Sequence, residues 1–104
     1  MDIKHAQKTV LEHDRLRNWD YFHPLEIFAN INEEMAEIWQ KIAWVKDSEK
    51  QELARKHKQE IEFDIGDLLH LVLKLANQFE VDAEKGLQDV LSSFGEKHPP
   101  VQQK

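Results

Sequence analysis

The sequence predicts an all-α protein, and three observations carry that prediction. Among 104 residues, proline occurs only at 24, 99 and 100 and glycine only at 66, 86 and 95, so few positions interrupt a helix. Apolar residues recur at helical spacing, as in Phe28, Ile31, Met35, Ile38 and Ile42. Cysteine is absent, so neither disulfides nor thiolate metal sites replace a packed core.

Four helices are expected in order. The first covers about 2–17, with Ile3, Ala6, Val10, Leu11 and Leu16 on its apolar side. "NWDYFHP" at 18–24 ends it, and Pro24 suits the first turn of the second helix, which runs to about 44 with the Phe28–Ile42 stripe as its core face. "KDSEK" is a turn in which Asp47 or Ser48 is placed to cap helix three, which continues to about Phe79. "EVD" leads into helix four at about 83–95, closed by Gly95 and "HPP". Residues 1–98 therefore read as a single helical domain and 99–104 as a loose tail.

Helix three is out of proportion to the rest. Its roughly 30 residues rise about 45 Å, whereas the radius of gyration expected of such a chain is only about 13 Å. Its second half is apolar nearly all round, through Ile61, Phe63, Ile65, Leu68, Leu69, Leu71, Val72, Leu73 and Leu75. Three short helices cannot cover such a rod. The expectation is a four-helix bundle completed by homo-oligomerisation, as a dimer or tetramer.

Charge narrows the partners. With 14 basic and 20 acidic residues the formal charge is −6, which argues against a nucleic acid polymer. The basic cluster "ARKHK" at 54–58 is interleaved with acids and reads as a solvated helix face. "MDIKHAQK" has no apolar signal core, and no uncharged run approaches a membrane span. A cytoplasmic protein without membrane contact is expected.

The chemistry lies where acids interrupt apolar sequence. "IEFDIGDLLHLVLKLA" (61–76) is the most apolar stretch, yet it contains Asp64 and Asp67. Carboxylates avoid such surroundings unless their charge is compensated. Their i, i+3 spacing puts them on one side of the helix, and helix two has a similar pair in Glu34 and Glu37, beside Glu33. Two neighbouring helices thus offer carboxylates toward one interface, and a cation among them relieves the repulsion. Oxygen-only ligands suit Mg²⁺, with Mn²⁺ as substitute. Mg²⁺ keeps positions for water and phosphate oxygens, so a phosphate-bearing substrate follows. The bland reading is a solvated acidic face on which Lys41 pairs with Glu37 at i+4.

"EEMAE" at 33–37, then 26 residues, then "DIGD" at 64–67 followed by "LLHLVL" resembles the MazG-like, all-α nucleoside triphosphate pyrophosphohydrolases. "RNWDYFHP" and Trp44 are similar to the small dCTP-pyrophosphatase-like branch. The resemblance implies cleavage of (deoxy)nucleoside triphosphates to monophosphate and pyrophosphate, as house-cleaning of the dNTP pool. It makes Glu34, Glu37, Asp64 and Asp67 the Mg²⁺ ligands, and Glu33 a supporting group or the base for the attacking water. Asp64 stands where that family usually has Glu. The basic and amide residues expected on the last helix are not evident, which leaves Lys41, Lys74 and Lys97 as candidate phosphate contacts.

Positions 34, 37, 41 and 44 form one stripe, with Trp44 about 10 Å beyond Glu37. That suits the distance from a metal-bound phosphate to a nucleobase. Trp19 and His23 offer a second stacking surface and a base-edge hydrogen bond. Spacing alone favours Trp19 and Trp44 as caps on the ends of the core; the resemblance reverses that and favours base binding. Phe22, Trp39 and His70 read as structural. His70 follows Asp67 at i+3, but a di-iron bundle needs two Glu-x-x-His motifs and two further Glu, and the pattern is incomplete. Two rivals stand beside the leading reading. One is a phosphoribosyl-ATP pyrophosphohydrolase-like enzyme, the other a non-catalytic helical module that binds metal or protein.

Overall fold

A computed structural model describes residues 2–20 and 23–101. Five α-helices run in order: α1 (Ile3–Leu16), α2 (Pro24–Ile42), α3 (Lys50–Lys56), α4 (Lys58–Gln78) and α5 (Ala83–Lys97), with one 3-10 turn at Asp47–Glu49. The described residues contain no strand. Phe22 and the end of the expected tail, 102–104, lie outside the described residues.

Local chemistry accounts for five of the ten helix ends among the described residues. The side chains of Asp2, His23 and Asp82 accept hydrogen bonds from the backbone N–H groups of His5, Leu25 and Lys85, so α1, α2 and α5 begin on side-chain caps. Pro24 follows His23 directly, where its missing N–H costs nothing. α1 and α4 end alike. Asn18 and Glu80 adopt left-handed backbone, with φ 57° and 54°. The N–H of Trp19 then reaches the Asp14 carbonyl at 2.8 Å, and the N–H of Val81 reaches the Ala76 carbonyl at 3.0 Å. These are Schellman closures.

The single long helix three is corrected to two. At His57 the backbone turns to φ −117°, ψ 25°, ending α3, and α4 begins at the next residue. His57 N–H still bonds the Leu53 carbonyl at 2.9 Å, and Ile61 N–H bonds the His57 carbonyl at 3.0 Å, so the chain bends with little hydrogen bonding lost. α3 and α4 therefore follow one another through a bend at His57, with the helical hydrogen bonding carried across it. Asp47 and Ser48 do not cap α3, whose N-terminus has no side-chain cap.

α4 is the hub. It packs most extensively on α2 and next on α1, while α5 lies against α1. Gln7 ties α1 to the α4–α5 turn: its side chain donates to the Val81 carbonyl at 2.7 Å and accepts from Ala83 N–H at 3.0 Å, and its carbonyl accepts from Asn77 at 3.2 Å. The buried apolar core is small, formed by Ile27, Leu71, Leu73 and Ala76. The stripe expected as the core face of α2 is therefore corrected. Ile27, Ile31 and Ile38 turn toward α4, while Phe28, Met35 and Ile42 remain exposed in the single chain.

Candidate functional site

Heptad spacing along α2 runs from Ile27 through Ile31 and Glu34 to Ile38, so Glu34 occupies a position that packing otherwise gives to isoleucine. On α4 the matching run is Ile61, Asp64, Leu68 and Leu71. The two helices thus each put a carboxylate into their common interface. Burial, above all, raises the Glu34 pKa; a hydrogen bond with Asp67 and the charges of Asp67, Glu37 and Asp64 push the same way. Of the four carboxylates predicted from the sequence, Glu34 and Asp67 are hydrogen-bonded across the interface, and Glu37 and Asp64 act on Glu34 through their charge. Glu33 is exposed on α2 and is not among the groups that act on Glu34.

A cation already stands at this interface. The Lys41 ammonium from α2 is paired with Oδ2 of Asp64 from α4. This corrects the expected i+4 partner, Glu37. Asp64 is the more buried of the two, with its side chain 13% exposed against 39% for Lys41. The hydrogen bond to Asp64, chiefly, holds the Lys41 pKa above its ordinary value, against the opposing effect of burial. Asp67 lies 3.9 Å from Nδ1 of His70. Among the described residues no three acidic or imidazole side chains stand close enough together to hold an ion. The donor set itself suits a hard divalent cation: it is all oxygen, and Glu34, whose pKa burial above all raises, is pushed further the same way by its neighbouring carboxylates.

The aromatic candidates sit at two separate places. Trp44 is 85% exposed, just beyond α2, so it caps no core in the single chain. Its ring meets Trp39 edge-on, with centroids 6.4 Å apart and planes at 65°. Trp39, expected to be structural, is itself exposed and belongs to this aromatic pair. Trp19 follows the α1 closure, where Arg17 lies over its ring at 5.9 Å and His13 approaches at 6.2 Å. Gln78 donates to the Asp20 carbonyl at 2.6 Å and anchors that loop to α4. His23 uses Nδ1 to cap α2, so its neutral ring carries its proton on Nε2, the nitrogen left to reach a ligand.

Lys74 is not a surface cation. It is 6% exposed and lies 3.5 Å from Oδ2 of Asp14, itself 2% exposed. The other oxygen, Oδ1, has no hydrogen-bond partner among the described residues and lies 3.7 Å from Nδ1 of His13. The sequence reading passed over Asp14. The available signal was register: Ile3, Gln7, Val10 and Asp14 share one heptad side of α1.

The chain has no match among curated proteins, and no solved structure matches it. The family profile of the MazG nucleotide pyrophosphohydrolase domain, by contrast, matches residues 22–102, from the start of α2 past the end of α5. That span includes both acidic helices and leaves out residues 1–21, with α1 and its closing loop, and residues 103–104. The chain belongs to the MazG nucleotide pyrophosphohydrolase family.

Proposed function

We propose that this protein is a Mg²⁺-dependent hydrolase of (deoxy)nucleoside triphosphates, releasing a monophosphate and pyrophosphate. The observation that carries the reading is that Glu34, withdrawn into the α2–α4 interface, hydrogen-bonds Asp67 and feels the charges of Asp67, Glu37 and Asp64, which add to burial in raising its pKa. Within a MazG domain, such an all-oxygen cluster suits Mg²⁺, with Mn²⁺ as a substitute. A bound ion of this kind offsets phosphate charge and makes water a better nucleophile. The chain's own part is to hold these carboxylates on two packed helices and to leave Glu33, exposed beside them, to accept the proton of the attacking water. Trp39, in the last turn of α2, and Trp44, just past its end, offer a stacking surface for the base. Trp19 and the Nε2 of His23 stand at the opposite end of α2, about 30 Å along the helix, and reach that base only from a second subunit of the oligomer. Lys41 is the phosphate contact we favour, because it stands at the carboxylate cluster with its side chain 39% exposed, whereas Lys74 is withdrawn from water beside Asp14. A dCTP-like substrate, dNTP house-cleaning and a cytoplasmic setting complete the reading. No helix among the described residues is long and apolar enough to cross a membrane.

The same proposal includes a homo-oligomer. The chain exposes 8873 Å², against about 6,100 Å² for a compact monomer of this mass. Its radius of gyration is 16.9 Å, against about 13 Å expected. The surplus of roughly 2,800 Å² exceeds the ~800 Å² that one partner contributes to a standard interface. It is concentrated in exposed apolar side chains such as Phe28, Met35, Ile65, Leu69 and Val72.

The test is pyrophosphate release from a panel of dNTPs and phosphoribosyl-ATP, with Mg²⁺ and with a chelator, alongside light scattering for mass. Release from a dNTP only with Mg²⁺ supports the proposal. Release only from phosphoribosyl-ATP moves the assignment to that enzyme class, and none at all leaves a binding module.

A further inference from the structure

We propose that Lys41 is a tethered counter-ion that holds Asp64 in the metal-free protein and must leave it before a divalent cation binds there. This rests on the assignment of Glu34, Glu37, Asp64 and Asp67 as metal ligands, and adds a residue that the assignment does not need.

The pairing itself is selective. Lys41 lies one helical turn after Glu37, within i+4 reach on its own helix, yet its ammonium crosses to Oδ2 of Asp64 on α4. Asp64 is the most withdrawn end of that pair, so an unpaired charge there is costly. A divalent ion would sit about 2.0–2.1 Å from a ligating oxygen. An ammonium bonded to the same carboxylate would then face a double positive charge at close range. The two cations exclude each other.

A second feature agrees. No three of the described acidic or imidazole groups are close enough together to hold an ion, while the Lys41 ammonium is bonded to Asp64. The arrangement is that of a resting site whose neutralising charge is a side chain. Lys41 is also the partner able to move. It has a flexible four-carbon stem and is three times as exposed as Asp64. Once released it keeps company, because Glu60 and Glu37 already act on its charge. Release frees the ammonium at the edge of the site, where the phosphates of a nucleotide would lie.

The experiment uses the intact protein. Lys41 acetylation by brief pulses of acetic anhydride is read by mass spectrometry across a Mg²⁺ titration, with the exposed Lys46 as internal reference. Lys41 should react slowly without metal and several-fold faster once Mg²⁺ is bound, as followed by calorimetry. In parallel, Lys41→Met should bind Mg²⁺ about two- to fivefold more tightly than the parent, the scale of a partly exposed ion pair. Unchanged Lys41 reactivity while calorimetry records Mg²⁺ binding overturns the proposal, even if the variant does not fold. So does a folded Lys41→Met that binds Mg²⁺ no more tightly. If Asp64→Asn abolishes Mg²⁺ binding while Lys41→Met leaves it unaltered, only the role of Lys41 falls. If the parent binds no Mg²⁺, the ligand assignment falls too.

Discussion

Lys74 of α4 sets its ammonium 3.5 Å from Oδ2 of Asp14 on α1, and both side chains are almost wholly withdrawn from water. Removing the lysine of such a pair leaves a buried carboxylate without its cation, which costs about 3–5 kcal/mol, whereas replacing both members with apolar side chains is often neutral. Lys74→Met should therefore lower unfolding stability by about 3 kcal/mol or more. Asp14→Leu combined with Lys74→Met should recover most of that loss. Urea denaturation of the parent, both single variants and the double variant checks it. Additive losses in the double variant would show that the two groups are not coupled.

Asp67→Asn keeps shape and removes a charge. For a metal ligand, activity should fall by orders of magnitude, and most of the Mg²⁺-dependent rise in melting temperature should vanish. Stability without metal should hold level or rise, because Asp67 is the charged group that acts most strongly on Glu34. Asp64→Asn should also lose activity, but its metal-free stability should drop because Lys41 loses its partner. Parent-level dNTP hydrolysis by Asp67→Asn would sink the assignment.

The raised Glu34 pKa has a definite sign in the metal-free protein. Its folded value lies above the ordinary glutamate value of 4.5, so the folded state holds the proton more firmly than the unfolded chain. Stability from this residue is present in acid and is lost as pH climbs from 4.5 through the raised value. With a chelator present, Glu34→Gln should gain melting temperature relative to the parent as pH rises across that window. With saturating Mg²⁺ the parent should regain the advantage. A difference between the two proteins that is flat with pH would contradict the burial and crowding inferred for Glu34.

Trp44→Ala addresses the base. Stacking on one base contributes about 1–3 kcal/mol, so nucleotide affinity should fall by roughly five- to 150-fold. Pyrophosphate affinity should be nearly unchanged. Because Trp44 is so exposed, monomer stability should change little, apart from the loss of its edge contact with Trp39. Equal losses for both ligands would remove Trp44 from the base site.

Glu80 adopts left-handed backbone at the end of α4, with φ 54°. That conformation costs a side-chain-bearing residue about 1–2 kcal/mol, against about 0.4–1 kcal/mol of added unfolded-chain entropy for glycine. Glu80→Gly should raise stability by about 0.5–1 kcal/mol and leave activity alone. Thermal melts decide it, and a destabilised variant would mean the Glu80 side chain contributes contacts of its own.

The helix sides on which the candidate carboxylates stand were legible because those signals are local. Carboxylates at i, i+3 share a side of any helix, so "EEMAE" and "DIGD" could be read as facing pairs before any packing was known. The start of α2 at Pro24 and the start of α5 after Asp82 were equally local, since capping and proline geometry act within one turn. The missed features depend on what lies opposite. Asp14 looks like one more acid in a polar helix until α4 brings Lys74 against it.

By itself, the sequence determined the helical class, most helix limits and the side of each helix on which the acids stand, because backbone hydrogen bonding and side-chain period operate over a few residues. Only the tertiary structure decided the break at His57, where neither glycine nor proline marks the bend. It also decided that Ile27, not Phe28, is buried, and that Lys41 pairs with Asp64 rather than Glu37. The physical reason is common to all three. Periodicity assigns a residue to a face, but which face is covered, and which of two anions an ammonium reaches, depends on how a second helix crosses the first.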